Sequence, residues 1–403
     1  MPPPSLGPDG HDAWGTSRRS RLFPELWLVH ADLHNHTRLS DGSGEPERAF
    51  ASMREAGLDA AAITDHSRWA SAFFGLPGLP GWIGIDHRAW QRTKALAEEA
   101  NEDGAFAAIG GFEWSDAMFG HMNVWGSQRF TDPLRTFPTM GRLWRWLEGP
   151  GSDGIAGFNH PGTGRLRFAR FGYHSAVANR LVSLEIFNKT HEYLLKDTDK
   201  GGESPLNQCL NAGWRVGLLG VTDEHGADWG RPEGKGRAGL YVRELSRRGV
   251  AEALSARRFF ASRVKGLRLD AALTSLAAGP APPEGRTAGR MGTTVAHPGG
   301  RALVQVDLDR GADWWGRRLN VQVLRPGHRL PALAAAVDVR LPGPGEPVIA
   351  FEVDLDPADG DWVVLRVSDP DAPADPRATG EYARLGRGIA YASPFWLGPS
   401  PGT

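Results

Sequence analysis

Six of the 13 histidines fall in short segments that end or follow an apolar run, and most of these segments also offer or adjoin a carboxylate. Asp32-Leu33-His34-Asn35-His36 carries two imidazoles at i, i+2 spacing. On a strand that spacing puts both on one face, so both can meet one metal ion. Asp41 follows in Leu39-Ser40-Asp41-Gly42. Next come Ile63-Thr64-Asp65-His66, then Gly111-Phe112-Glu113-Trp114 with Gly120-His121-Met122-Asn123, and then Phe158-Asn159-His160-Pro161. Val221-Thr222-Asp223-Glu224-His225 repeats the i, i+2 spacing with a carboxylate and an imidazole. One such histidine is ordinarily a hydrogen-bonded structural residue. Buried polar groups cost stability unless paired, and metal ions would pair a convergent set. Mixed imidazole and carboxylate donors suit Zn, Mn or Fe, and equally Co or Ni. Such ions lower the pKa of a bridging water and polarise phosphoryl or carbonyl oxygen, which is the chemistry of a hydrolase. The His34-Asn35-His36 triplet does not indicate an HNH nuclease, because a long region of alternating strands and helices follows it instead of a ββα hairpin.

The elements that must position these residues alternate over residues 26–265. Strands are expected at Leu28–Leu33, Ala60–Thr64, Ala105–Gly111, Met122–Trp125, Ile155–Phe158, Val182–Phe187, Val216–Val221 and Gly239–Val242. Most are continuous apolar runs, the pattern of a parallel sheet buried on both faces. Helices are expected at Pro46–Ala56, His87–Asn101, Met140–Leu147, Ser204–Ala212 and Val250–Arg258. This is an α/β fold, either a barrel or a doubly wound sheet, whose ligands gather at the C-terminal ends of the strands. Residues 1–25 read as a tail, docked in part by Trp14 and Phe23. Gly279–Gly300 reads as a Pro/Gly-rich stretch, the segment least able to bury apolar surface. Residues 266–403 read as a smaller β-rich, sandwich-like domain with strands at Ala302–Leu308, Leu319–Leu324, Val348–Leu355, Trp362–Val367 and Gly388–Leu397.

Asp32-Leu33-His34-Asn35-His36-Thr37 with Ser40-Asp41-Gly42, then Ile63-Thr64-Asp65-His66, then a Glu, then His before Pro, then Asp-x-His resembles the PHP (polymerase and histidinol phosphatase) superfamily over residues 26–265. Gly111-Phe112-Glu113-Trp114-Ser115, Gly120-His121-Met122-Asn123-Val124-Trp125-Gly126 and Gly236-Arg237-Ala238-Gly239-Leu240-Tyr241-Val242 look like its CehA/McbA branch of metallohydrolases. The resemblance implies a distorted (β/α)7 barrel with two or three divalent metal ions at the strand C-termini. One ion would lie on His34, His36, Glu113 and Asp223. Glu113 would bridge to a second on His121 and His160. A third would take Asp41, His66 and His225. Asp41 stands where some relatives carry His, which would weaken or change that third site.

Around these ligands, Asp65 is a candidate to hydrogen-bond an imidazole and set its tautomer. Arg165, Lys189, His191 and Arg237 are candidates to clamp an anion or protonate a leaving group. Trp69, Phe73, Phe74 and Trp82 are candidates for an apolar lid, and Trp114 and Trp125 for pocket lining or packing. The catalytic set is therefore Glu113, Asp223, His191, Lys189 and Arg165. The expected function is a phosphoesterase acting on small phosphate mono- or diesters through metal-activated hydroxide. Its rivals are a carboxylic ester, carbamate or amide hydrolase on the same metals, and a non-catalytic metal- or partner-binding module.

Composition excludes several classes. Residue composition is 40% hydrophobic and 23% charged, as in a globular protein. A net charge of −1, from 46 basic and 47 acidic residues, argues against nucleic acid held by overall charge. The expected partner is a small anionic molecule. One cysteine, Cys209, excludes an intrachain disulfide or a cysteine-rich zinc site. No apolar run is long enough for a membrane helix. The N-terminus lacks the basic and apolar regions of a signal peptide, so a cytoplasmic location is expected.

Overall fold

The computed structural model describes residues 10–12, 14–67, 84–133, 140–150, 152–162, 166–276 and 288–398. Arg165 and the aromatic insert of Trp69, Phe73, Phe74 and Trp82 lie outside the described residues.

The first half alternates as its patterning implies. The strands are β1 Trp27–Asp32, β2 Ala60–Ile63, β3 His66–Ser67, β4 Ala107–Asp116, β5 Gly120–Trp125, β6 Ile155–Phe158, β7 Leu181–Asn188, β8 His191–Glu192, β9 Gly217–Val221 and β10 Arg237–Val242. The helices are α1 Pro46–Glu55, α2 His87–Ala100, α3 Met140–Glu148, α4 Pro205–Asn211 and α5 Arg247–Ser255. In α1 the proline sits at the first helical position, where its missing N–H costs nothing, and Ala49, Phe50 and Met53 form the buried face. Asp86 caps α2 by accepting from the Ala89 amide at 2.8 Å. Ser246 caps α5 by accepting from the Gly249 amide at 3.0 Å, so that helix starts at Arg247, earlier than its apolar residues imply.

The sheet is mixed, not parallel. β1, β2 and β4 run parallel, as do β6, β7 and β9. Between these groups β4, β5 and β6 pair antiparallel, and β10 pairs antiparallel with β1. Continuous apolar runs report burial on both faces but not strand direction, which is why the expectation of a parallel sheet failed here. The ends of β1 and β9 meet through one isolated bridge, Asn35 with Glu224, rather than a ladder. β9 packs against β10 at Gly220, where a Cβ would come within 2.3 Å of the Arg237 carbonyl oxygen. Only glycine permits that approach.

The remaining strands are β11 Phe259–Ser262, β12 Arg268–Ser275, β13 Gly289–Arg290, β14 Thr294–Ala296, β15 Gly300–Asp309, β16 Arg318–Arg325, β17 Ala332–Arg340, β18 Ile349–Leu355, β19 Trp362–Asp369, β20 Arg387–Ala392 and β21 Phe395–Gly398. β12, β13, β15 and β18 form a separate four-stranded sheet. The large sheet continues from β10 through β11, β20, β19 and β16 to β17. The two layers enclose a core that includes Leu269, Val304, Val306, Val321, Val323, Leu365 and Ile389. The chain crosses residue 265 without a break in this hydrogen bonding, because Phe260–Ser262 pair with Ala390–Ala392. Of the Pro/Gly-rich stretch, residues 279–287 lie outside the described residues, and from Gly289 it is built into β13 and β14. β17 escaped detection because its Ala-rich sequence lacks the β-branched signature of a strand.

The N-terminal segment is docked. Asp12 accepts from the Trp14 and Thr16 amides and meets His30 Nε2 at 2.9 Å. Arg21 Nε donates to Asp307 at 2.9 Å, tying the segment to the four-stranded sheet. Among the described residues no helix is long and apolar enough to cross a membrane.

Candidate metal centre

The parallel strands deliver the site. His34 and His36 follow β1, Asp65 and His66 follow β2, Glu113 lies in β4, His160 follows β6, Lys189 follows β7, and Asp223 and His225 follow β9. His121 arrives differently. β5 folds back antiparallel on β4 and pairs His121 with Ser115, so its beginning lies at the rim where β4 ends. Three residues in this rim, His160, Lys189 and Asp223, take positive φ (23°, 50° and 47°). Backbone strain of this kind concentrates at functional sites, where it aims side chains that relaxed geometry would not.

All nine expected ligand residues converge. Potential donor atoms form mutually close groups: His34, His36 and Asp223; His34, Glu113 and His160; His66, Glu113 and His121; and His36, Asp41, His66 and His225. Glu113 is at the centre and fully buried. Its Oε1 lies 3.3 Å from His34 Nε2, 3.3 Å from His121 Nδ1 and 3.2 Å from His160 Nε2. Its Oε2 lies 2.5 Å from His66 Nδ1 and 3.7 Å from His36 Nε2. The two oxygens thus face different imidazole sets. Asp223 Oδ1 lies 3.2 Å from His36 Nε2 and 3.3 Å from His225 Nδ1. Asp41 Oδ2 lies 3.5 Å from both His66 Nε2 and His225 Nε2.

Electrostatics follow from this crowding. Burial alone would raise the Glu113 carboxyl, but His121, His66 and His34 hold it well below the usual range. Asp223 is held low in the same way by His34 and His36 against its burial. Burial opposes the charge on His66, yet Glu113 and Asp41 outweigh it and push its pKa up to about 10. Burial and the neighbouring His66 push His36 down to about 3, leaving a neutral imidazole with a free lone pair. His36 is thus already in the donor state that metal binding requires, while at His66 and His34, whose pKa is also raised, an ion would have to displace a proton.

Several supporting residues carry no sequence signal. Glu185 Oε1 lies 2.7 Å from His34 Nδ1, while its Oε2 accepts from the His160 amide at 2.7 Å and from Asn188 Nδ2 at 2.9 Å. That contact gives His34 Nδ1 the proton and leaves Nε2 as the donor toward the cluster. Asn159 Nδ2 donates to Glu113 Oε1 at 2.7 Å. Trp229 and Trp125 donate their indole N–H groups to the His36 and Leu33 carbonyls at 3.0 and 2.8 Å, fixing the backbone of the His34–His36 pair. Trp125 is therefore a packing residue, and Trp114 is buried in the main core.

Asp65 is corrected: it accepts from the Thr37 amide and hydroxyl, both at 2.7 Å, and from Ser40 Oγ at 2.5 Å. It braces the loop that carries Asp41 and orients no imidazole. Arg237 is also corrected. It is buried and donates to the Gly230 and Pro232 carbonyls, so it is spent on structure. Lys189 Nζ lies 3.4 Å from Asp223 Oδ2 and is partly exposed. His191, paired with Asn188 in the β7–β8 hairpin, is exposed and outside the donor groups. Its partial burial and the cations Arg377, Lys196 and Lys189 lower its pKa, which disfavours it as a proton donor at neutral pH.

No family model matches the sequence, and no curated protein matches it. Among solved structures, a two-domain protein from Bacteroides vulgatus ATCC 8482, containing a predicted PHP-like metal-dependent phosphoesterase, aligns over 91% of this chain and 95% of its own, with 15% identity and a TM-score of 0.46. A candidate metal-dependent phosphoesterase from Bifidobacterium adolescentis ATCC 15703 covers 49% of this chain and 88% of its own, with 15% identity and a TM-score of 0.28. An amidohydrolase from Chromobacterium violaceum covers 49% of this chain and 87% of its own, with 14% identity and a TM-score of 0.26. At these values the functional argument rests on the site.

Proposed function

We propose that this chain is a metal-dependent hydrolase of the PHP type that cleaves phosphate mono- or diesters of small molecules. The observation that carries the reading is the split Glu113 carboxylate, each oxygen facing its own set of imidazoles. The residues fit a set of divalent ions. His36 Nδ1, His121 Nδ1 and Asp223 Oδ1 are buried without hydrogen-bond partners among the described residues. His34 and His36 bring their Nε2 atoms within 3.0 Å of each other. Ions shared among these atoms satisfy what would otherwise be unpaired buried groups.

His34, His36, Glu113 and Asp223 would hold one ion, His121 and His160 with Glu113 a second, and Asp41, His66 and His225 a third. Zn, Mn or Fe bound there supplies Lewis acidity and lowers the pKa of water toward neutrality. The chain's own residues do the rest. Glu185 and Asn159 hold His34 and Glu113 in place. Lys189, 3.4 Å from Asp223, offers the leaving oxygen a cation at the rim. The strained backbone at His160 and Asp223 keeps both side chains aimed inward.

A substrate screen tests the reading. Protein supplied with Zn, Mn or Fe is assayed on p-nitrophenyl phosphate, bis-p-nitrophenyl phosphate, p-nitrophenyl acetate and an aryl carbamate. The expected result is a kcat/KM at least about tenfold higher on one of the phosphate esters than on the carbonyl substrates. Preference for the acetate or carbamate would overturn the phosphoesterase reading in favour of carbonyl hydrolysis. No turnover of any substrate by protein with full metal content would favour a non-catalytic module.

A further inference from the structure

Just beyond His160 the chain does something costly. Phe168, Ala169, Arg170 and Phe171 all take left-handed φ values, 49°, 48°, 59° and 56°. For L-residues this conformation brings Cβ too close to the following carbonyl oxygen and is unfavourable. Buried anchors hold it. Phe168 and Phe171 pack on Phe158 with ring centroids 4.8 and 5.2 Å away. Trp214 donates its indole N–H to the Phe171 carbonyl at 2.7 Å, and the Phe168 amide donates to the Phe119 carbonyl at 2.6 Å.

The turn sets the position of Arg167, the residue immediately before it. A Cβ on Gly120 would lie 3.2 Å from Arg167 Nη1 and 3.3 Å from its Cδ. A Cβ on Gly162 would lie 3.7 Å from its Nε. The guanidinium is thus lodged between the residue that precedes His121 and the residue two beyond His160. Gly120, at φ 98°, leaves the space that the side chain occupies. Among the described residues the Arg167 guanidinium makes no hydrogen bond and no ion pair, although the chain has 47 acidic residues to offer one. A partly buried, positioned guanidinium without a carboxylate is available to an incoming anion. Burial, Glu185 and Asp223 push the Tyr193 phenol well above its usual range, while Arg167 and Arg377 act in the opposite direction.

We propose that Arg167, lodged between Gly120 and Gly162 beside His121 and His160, binds the phosphoryl oxygens of the substrate. This rests on the hydrolase reading and names the anionic substrate class it selects. A guanidinium fork fits two phosphoryl oxygens at once, and it cannot lose its proton. The same position gains nothing from a neutral carboxylic ester.

The test uses the full chain with metal content measured for every variant. Wild type, Arg167→Gln and Arg167→Lys are assayed on p-nitrophenyl phosphate and p-nitrophenyl acetate. Binding of inorganic phosphate is measured separately by calorimetry. In Arg167→Gln the phosphate-to-acetate ratio of kcat/KM should fall at least about tenfold, the scale of a lost charge-assisted bidentate contact. Inorganic phosphate should bind about tenfold more weakly, with Arg167→Lys intermediate. If wild type turns over neither ester but still binds phosphate in an Arg167-dependent way, the anion site stands and the hydrolase reading falls. An unchanged ratio with unchanged phosphate binding in Arg167→Gln overturns the assignment, as does wild type that binds no phosphate.

Discussion

Glu113→Gln lowers kcat by at least about a hundredfold, the scale of losing a major electrostatic element of an active site. The replacement keeps the size of the side chain and removes a charge that five imidazoles face, those of His34, His36, His66, His121 and His160. Cations on either side of it would then repel with less compensation. The amide also offers an N–H where one set of donors needs an oxygen. Asp41→Asn costs less, because Asp41 is half-exposed and serves only the group with His36, His66 and His225. Metal content is measured for both variants alongside turnover. Near wild-type kcat in Glu113→Gln at equal metal occupancy contradicts the bridging role.

Glu192→Ala destabilises the fold by about 3–5 kcal/mol, because it strands a buried charge. Glu192 Oε1 accepts from Arg366 Nε at 3.2 Å and from the Tyr391 hydroxyl. Arg366 is almost fully buried and also donates to Gln322 Oε1 at 2.7 Å and to Tyr391 at 2.9 Å. This node joins the β7–β8 hairpin to β16, β19 and β20, so its loss weakens the contact between the site-bearing strands and the C-terminal strands. Glu352→Ala is the control. Glu352 pairs with Arg301 on the surface, with both side chains about half-exposed or more, and its loss costs under about 1 kcal/mol. Urea unfolding midpoints separate the two. A Glu192→Ala midpoint equal to that of Glu352→Ala contradicts the account of this node.

The candidate site was legible in the sequence to the extent that its residues follow their strands locally. His34 and His36, Asp223 and His225, and the single residues after β2 and β6 announce themselves by residue type at a strand end. His121 was legible only as a motif, since nothing in Gly120-His121-Met122 says that β5 folds back on β4. The supporting residues were not legible. Glu185 meets His34 across 151 positions of sequence, and Asn159 meets Glu113 across 46. Such contacts are set by the fold, and a glutamate inside an apolar strand carries no mark of its partner. Arg167 was missed for a related reason, because a left-handed run of Phe, Ala, Arg and Phe has no sequence signature.

For the fold, burial was legible and direction was not. Apolar runs located β1, β2, β5, β6, β7, β9 and β10 to within about two residues, ended β4 five residues early and missed the two-residue β3 and β8, and antiparallel β5 and β10 read the same as their parallel neighbours. The change in pattern near Lys265 coincides with entry into the four-stranded sheet at β12. What it could not show is that β11, ending just before it, pairs with β20 near the end of the chain.

Elemental analysis of the full chain, combined with turnover during stepwise return of metal to chelated protein, tests the central claim most directly. The account predicts two or three divalent transition ions per chain, turnover that rises with occupancy, and loss of both in a His34→Ala/His36→Ala variant. Full turnover with fewer than about 0.1 ion per chain would contradict it, because the convergent donors would then be serving no metal.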